Sequence, residues 1–143
     1  MSARLAPPSA SPPDRATLDV LARTIQVEAA FGPARGFDAV GAVIVNRAKR
    51  AHAPSLEDVC RTFACWMPRA DGAVPALAAA KSGRSYEHAR RVARQILRGR
   101  HVDPTAGAVE WADIEEGPPP RGCLRVRIGG RWYFDPQTER RRK

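Results

Sequence analysis

The spacing of apolar residues along the chain predicts a helical domain that ends in a β-hairpin. Between Leu18 and Ala29, apolar side chains recur at offsets of three, four, seven and eleven positions, as on one face of an α-helix. Asp14 is a residue type that caps helix starts. Gly32-Pro33 ends the helix, since glycine closes helices and proline cannot continue the hydrogen-bond ladder.

Three more helices and a hairpin follow from the same reasoning. We expect a broadly apolar helix over 36–50 to be the most buried element, a short capped helix to end near Cys60, and a helix to cover 85–98 before Gly99. Residues 63–72 are expected to form a loop. Alternating residues from Leu124 to Ile128, then Gly129-Gly130 and a second strand over 131–134, predict the hairpin.

Composition divides the chain into one domain with two short flanks. Residues 1–13 are rich in proline, serine and alanine, so we expect a flexible leader. Residues 14–136 form the expected catalytic domain, of α+β class and mainly α, and 137–143 form a basic tail. The first 14 residues contain no apolar run of the length that a signal peptide needs.

The net charge of +9, from 24 Lys and Arg against 15 Asp and Glu, favours anionic partners. Nucleic acid, anionic lipid and bacterial cell wall are all candidates. A nucleic-acid-binding protein is the alternative from another class, because one predicted helix carries a basic face, made of Arg90, Arg91, Arg94, Arg98 and Arg100. No recognised DNA- or RNA-binding motif accompanies this face, so we expect no nucleic-acid partner.

The cysteines and histidines do not indicate a metal site. Three cysteines are too few for a disulfide framework, and Cys60 and Cys65 are equally compatible with a bridge and with two buried thiols. No His-Glu-x-x-His or paired Cys-x-x-Cys spacing is present. We therefore expect no metal and no cofactor.

Glu28 is an unusual residue for its position, because it falls on the apolar face beside Leu21 and within one turn of Ile25. The simplest interpretation is a carboxylate at the edge of the face, paired with Arg35 or Arg47. The functional interpretation is a general acid, since partial desolvation and the negative end of a helix dipole both raise the pKa of a carboxyl group. Glycosidic-bond cleavage needs such a group.

Four segments in order resemble the cell-wall hydrolase family typified by the spore cortex-lytic enzyme SleB. They are Leu21 to Ala29 with Val40 to Arg47, Val59-Cys60 with Phe63-Ala64-Cys65-Trp66, Asp103-Pro104-Thr105-Ala106-Gly107-Ala108, and Ile128-Gly129 with Trp132-Tyr133-Phe134. The resemblance covers residues 18–134 and implies a lysozyme-like fold and a lytic transglycosylase or muramidase with one essential glutamate, which maps onto Glu28.

The remaining site residues are substrate-binding candidates, each weighed against a packing role. They are Asn46, Phe63, Trp66, Thr105, Gly107 and Trp111. Aromatic rings can stack on sugars, and glycine permits close approach of a sugar. The chain departs from the family at Pro33, where an acidic residue is usual, and in Val109-Glu110-Trp111, where an aromatic or His-rich run is usual.

The expected reaction is cleavage of the MurNAc–GlcNAc bond of peptidoglycan by Glu28 alone. A muramidase-type hydrolysis is the runner-up, with Asp38, Asp103 or Glu110 as the second carboxylate. We expect a monomer that acts on the cell wall without inserting stably into a membrane. In the absence of a visible signal peptide, the expected routes to the wall are a holin-type export or delivery by a phage-like particle, as for an endolysin.

Overall fold

The computed structural model of the chain describes residues 12–30 and 32–137. The predicted leader and basic tail fall outside the described residues, apart from Pro12, Pro13 and Gln137. The described part is of α+β class and mainly α, which confirms the expected fold class.

Within the described residues the helices come first and the sheet last. The α-helices are α1 (Pro12–Glu28), α2 (Ala34–Ala51), α3 (Leu56–Cys60), α4 (Pro75–Ala78) and α5 (Gly83–Leu97). Short 3₁₀-helices cover Ala64–Trp66 and Ile114–Glu116. The strands are β1 (Glu110–Asp113), β2 (Leu124–Ile128) and β3 (Arg131–Asp135), with β3 in the middle of an antiparallel sheet.

The predicted apolar faces form the core. Leu21 and Ile25 of α1 are fully buried, and α1 packs mainly on α5. In α2 the buried residues run without interruption from Phe37 to Ile44 apart from Asp38, as expected for the most buried helix. Gly41 lets α2 approach α5 closely, because a Cβ atom there would lie 2.8 Å from Cδ1 of Ile96. The helices therefore pack as the pattern predicts.

Three features differ from the sequence prediction. Helix α1 begins at Pro12, so Asp14 lies inside the helix rather than at its cap. The predicted loop over 63–72 contains the 3₁₀-helix Ala64–Trp66, and α4 was not predicted. Strand β1 was missed as well, because Glu-Trp-Ala-Asp shows no clear alternation and becomes a strand by pairing with β3.

The turn between β2 and β3 packs on the segment that leaves α1. Gly129 has φ of 60°, and a Cβ atom there would lie 2.7 Å from Cδ of Pro33. Only glycine fits this approach without displacing the proline ring. The contact brings the hairpin to the C-terminal end of α1, where Glu28 lies.

The three cysteines are buried free thiols, so the pair Cys60 and Cys65 is not bridged in this structure. Among the described residues, no helix combines the length and the apolar character needed to cross a membrane.

Candidate active site

Glu28 is the last residue of α1 and is half-buried. The chain leaves the helix directly afterwards, with the amide of Ala29 donating to the carbonyl of Ile25 at 2.9 Å and that of Gly32 donating to the carbonyl of Ala29 at 3.1 Å. The carboxylate thus sits at the negative end of the helix dipole, next to a fully buried apolar face. The sequence predicted that this helix ends at Gly32, one turn later; in the structure Glu28 itself is its last residue.

Arg47 of α2 is an arginine on which the negative charge of Glu28 acts. Its Nε donates to the carbonyl of Val109 at 2.6 Å, and its guanidinium lies 4.7 Å from the centroid of the Phe63 ring. Burial lowers the pKa of Arg47, while the negative charges of Glu110 and Glu28 act to raise it. A guanidinium stays charged under these conditions, so Arg47 is a fixed cation between two carboxylates.

A row of aromatic rings lies beside Arg47. Phe63 and Trp111 stack at 5.6 Å with an interplanar angle of 14°, and Trp111 lies 6.1 Å from Tyr133. The guanidinium of Arg131 covers the Trp111 ring at 5.1 Å. Phe63 is 6 % exposed and Tyr133 is 1 % exposed, whereas Trp111 is half-buried. Trp111 is therefore the ring of this row with surface to offer a ligand, and Phe63 supports it from the core.

Trp66 is placed by a different contact. Its indole N–H donates to Oγ1 of Thr24 at 2.8 Å, and the guanidinium of Arg61 lies 4.8 Å from its ring centroid. The ring is half-buried. Trp66 thus anchors the 3₁₀-helix Ala64–Trp66 to α1, one turn before Glu28.

The predicted substrate-binding residues Asn46, Thr105 and Gly107 come together around Asp103. Oδ1 of Asp103 accepts from the amide and the hydroxyl of Thr105, both at 2.6 Å. Oδ2 accepts from Asn46 at 3.0 Å and from the amide of Gly107 at 2.9 Å. Asn46 also donates to the carbonyl of Ala108 at 2.9 Å.

These contacts form the Asp103 network, which consists of Asn46, Asp103, Thr105, Gly107 and Ala108. Thr105 is 1 % exposed, and its hydroxyl also accepts from the amide of Ala108 at 3.1 Å. The burial of Thr105 argues against direct contact with a sugar. The geometry matches the alternative interpretation, in which Asn46 ties its helix to the neighbouring loop and Thr105 and Gly107 shape a turn.

The three candidates for a second carboxylate lie in different surroundings. Partial burial acts to raise the pKa of Asp103, but hydrogen bonds from Thr105, Asn46 and Gly107 outweigh it and hold the pKa below its ordinary value. Asp38 faces His101, with Oδ1 and Nε2 at 3.6 Å. Of the three, Glu110 is the residue whose negative charge acts on Arg47, as the charge of Glu28 also does. It is the strongest of the three candidates.

Two open depressions begin where α1 ends. The first, of about 200 Å³, is lined by Ala29 and Ala30 next to Glu28 and by Asp113, Arg131 and Tyr133 of the sheet region. The second, of about 710 Å³, lies between the starts of α2 and α5 and is lined by Phe37, Arg84, His88 and Arg91, among others. Gly32 lines both, so the two depressions adjoin.

The predicted basic face faces solvent: on α5, Arg90 is half-buried and Arg91 and Arg94 are exposed, and Arg98 and Arg100, which follow the helix, are exposed as well. Its role in adsorption to an anionic polymer stays a prediction. No cluster of three or more His, Cys, Asp or Glu residues in the described part of the chain could hold a metal ion.

Sequence reasoning missed the contributions of Arg131 and Tyr133. The residues 131 and 133 lie on the same face of β3, because side chains two apart along a strand point the same way. The period-two pattern could therefore have placed them together.

Comparison with known proteins gave no match: no protein-family model, no curated protein and no solved structure corresponds to the chain. Its function is therefore inferred from the residues and their geometry.

Proposed function

We propose that the protein cleaves the MurNAc–GlcNAc bond of peptidoglycan glycan strands, with Glu28 as its catalytic acid and base, as in SleB-like cell-wall hydrolases. The observation that carries the proposal is the setting of Glu28: a half-buried carboxylate at the last residue of α1, within the field of Arg47. Carboxyl groups held partly out of water at a helix end suit general acid catalysis of glycosidic-bond cleavage.

The reaction uses one carboxyl group, first as a general acid and then as a general base. Protonated Glu28 gives its proton to the glycosidic oxygen, and the bond between that oxygen and C1 of the muramic acid breaks. The C6 hydroxyl of the same sugar attacks C1, and the Glu28 carboxylate takes the hydroxyl proton. The product is a 1,6-anhydro sugar, no water is consumed, and Glu28 returns to its protonated form.

Arg47 contributes to this cycle as a fixed positive charge. It stabilises the Glu28 carboxylate that exists between the two proton transfers, and Val109 and Phe63 prevent it from moving away. Trp111 is stacked on Phe63 and covered by Arg131, so in this proposal it contacts a sugar through the part of its surface that stays exposed.

The adjoining depressions suit a polymer rather than a small molecule. The smaller one is lined by Ala29 and Ala30, which follow Glu28 in the chain, and the larger one continues past Gly32 toward Arg84 and Arg91. A glycan strand with acidic peptide substituents would meet positive charge along this path.

The muramidase mechanism is the second candidate. It requires a base that activates water on the opposite side of the sugar, and Glu110 supports it because Glu110 and Glu28 both act on Arg47. Under this mechanism water adds to C1, and the product is a reducing sugar.

Digestion of purified sacculi in ¹⁸O-labelled water, followed by mass spectrometry, distinguishes the two reactions. We expect muropeptides ending in anhydro-muramic acid, one water lighter than the hydrolysed product and free of label. Labelled reducing ends would instead indicate water activation and would assign the base to Glu110. Intact sacculi under all conditions would refute the proposed function.

A further inference from the structure

The three-stranded sheet presents different side chains on its two faces, because successive residues of a strand point to opposite sides. On β3, Tyr133 belongs to the buried core, and both Arg131 and Tyr133 line the smaller depression. Trp132 lies between these two residues in the chain and is half-buried. The sheet therefore has an inner face toward the candidate active site and an outer face that carries Trp132.

Two arginines of β2 share the outer face with Trp132. Arg127 is paired with Trp132 in the strand register, and the guanidinium of Arg125 lies 5.1 Å from the centroid of the Trp132 ring. Both arginines are exposed. We refer to Arg125, Arg127 and Trp132 as the hairpin surface.

Trp132 restrains Arg125 without occupying it. The attraction between a guanidinium and an indole is to the face of the ring and uses no hydrogen-bond acceptor, so the N–H donors of Arg125 can still bind an anion. A side chain that is already held in place loses less conformational entropy when it binds. The contact thus prepares Arg125 for an anionic ligand.

The positive charge of the hairpin surface is not neutralised within the protein. Among residues 12–30 and 32–137, Arg125 and Arg127 form no ion pair, whereas Arg131 of the inner face pairs with Asp113 at 3.6 Å. Positions two apart on a strand are separated by about 7 Å, so the two arginines repel each other. An anion bound at both would remove that repulsion.

Carboxylates fit the hairpin surface better than a nucleic acid does. The planar fork of a guanidinium matches a carboxylate with two parallel N–H···O bonds, so two arginines suffice for one or two carboxyl groups. Binding to duplex DNA instead draws its strength from many phosphate contacts along the backbone. Peptidoglycan offers carboxylates on the peptide substituents of its glycan strands.

We propose that the hairpin surface binds carboxylates of the peptide substituents of peptidoglycan, and that it anchors the protein to the wall on the side of the sheet opposite the smaller depression. This rests on the proposed function, because it takes peptidoglycan as the substrate.

The test measures how strongly the full chain is retained on purified sacculi, by sedimentation, in a Glu28→Gln background so that the wall is not cut. Arg125→Gln/Arg127→Gln removes both guanidiniums of the hairpin surface. Arg94→Gln/Arg98→Gln is the matched control, because it removes the same charge from two exposed arginines in the last turn of α5 and directly after it. Each protein is also tested on sacculi from which an amidase has removed the peptides.

On intact sacculi, Arg125→Gln/Arg127→Gln should raise the apparent Kd by about 10-fold, since two charge-assisted contacts at an exposed surface are lost. The control should change the Kd by about 2-fold or less, because salt screens charges that make no direct contact. Sacculi without peptides should bind all the proteins equally weakly. Melting temperatures near that of the wild type establish that the variants fold.

An unchanged Kd in Arg125→Gln/Arg127→Gln would overturn the proposal, and so would equal losses in the two double variants, because they would assign adsorption to net charge. Undiminished retention on peptide-free sacculi would exclude the peptide carboxylates as the ligand. A gel shift with duplex DNA that depends on Arg125 and Arg127, with unchanged retention on sacculi, would assign the surface to nucleic acid.

Failure of the wild type to cut sacculi would instead refute the proposed function. The retention measurement uses a background designed not to cut, so it decides the role of the hairpin surface independently of that outcome.

Discussion

The surroundings of Glu28 and the Asp103 network each contain an acidic residue, yet the two carboxylates have different partners. Asp103 accepts hydrogen bonds from Thr105, Asn46 and Gly107 on both of its oxygens. Glu28 is half-buried at the end of α1, its charge acts on Arg47, and the residues that follow it line an open depression.

The difference separates a carboxylate saturated with hydrogen-bond donors from one followed by residues that line an open depression. A carboxylate saturated with strong donors is kept in its charged form and cannot serve as a general acid near neutral pH. The proposed function instead requires that Glu28 gain and lose a proton. Sequence motifs pointed to both regions, and the hydrogen-bond partners distinguish them.

The largest effect should come from Glu28→Gln, which removes the transferable proton and keeps the side-chain volume. We expect lysis of sacculi to fall by about 10² to 10⁴ while the melting temperature stays near that of the wild type. The exposed Glu115→Gln is the matched control, and it should lyse normally. Retention of more than a few per cent of the activity by Glu28→Gln would remove the distinction between the two acids.

A smaller effect, and one on stability, is expected for Asp103→Asn. The amide nitrogen cannot accept the bonds from Asn46 and Gly107, so the free energy of unfolding should fall by about 1–2 kcal/mol in urea titrations. Activity per folded molecule should be retained. Asp71→Asn is the control, because the Asp71 side chain caps a single amide, that of Ala73.

The pH dependence of the stability lost in Asp103→Asn identifies the cause of that loss. The pKa of Asp103 is lower in the folded protein than its ordinary value. Its contribution is therefore present above about pH 4 and is lost as the pH falls through the folded value. The stability gap between wild type and Asp103→Asn should close on acidification in that window. A gap that stays constant down to pH 2 would mean that the charge of Asp103 is not its origin.

The smallest effect should come from Glu110→Gln. If Glu28 acts alone, lysis should persist near the wild-type rate, although the negative charges of Glu110 and Glu28 both act on Arg47. Removal of a general base typically lowers the rate by about 10² or more. A fall in the lysis rate of that size in Glu110→Gln would assign a catalytic role to Glu110 and favour the muramidase mechanism.

The sequence predicted best what local periodicity controls. The faces of α1, α2 and α5 and the β2–β3 hairpin follow from apolar spacing, and Glu28 stands out because it interrupts one such face. Strand β1 depends on pairing with β3, a partner distant in sequence, so no local pattern contains it. The burial of Thr105 and Phe63 was not predicted for a related reason, since a motif gives residue types without their exposure.

The contacts that complete the site also determine when it can exist. Arg47 is fixed by a carbonyl 62 residues further along the chain, and Gly129 of the final hairpin closes against Pro33. Because such long-range pairs form only after the intervening chain is folded, a nascent chain emerging from the ribosome contains Glu28 without its surroundings. The surroundings of Glu28 are thus complete only after the β2–β3 hairpin has folded, and the proposed activity depends on that hairpin.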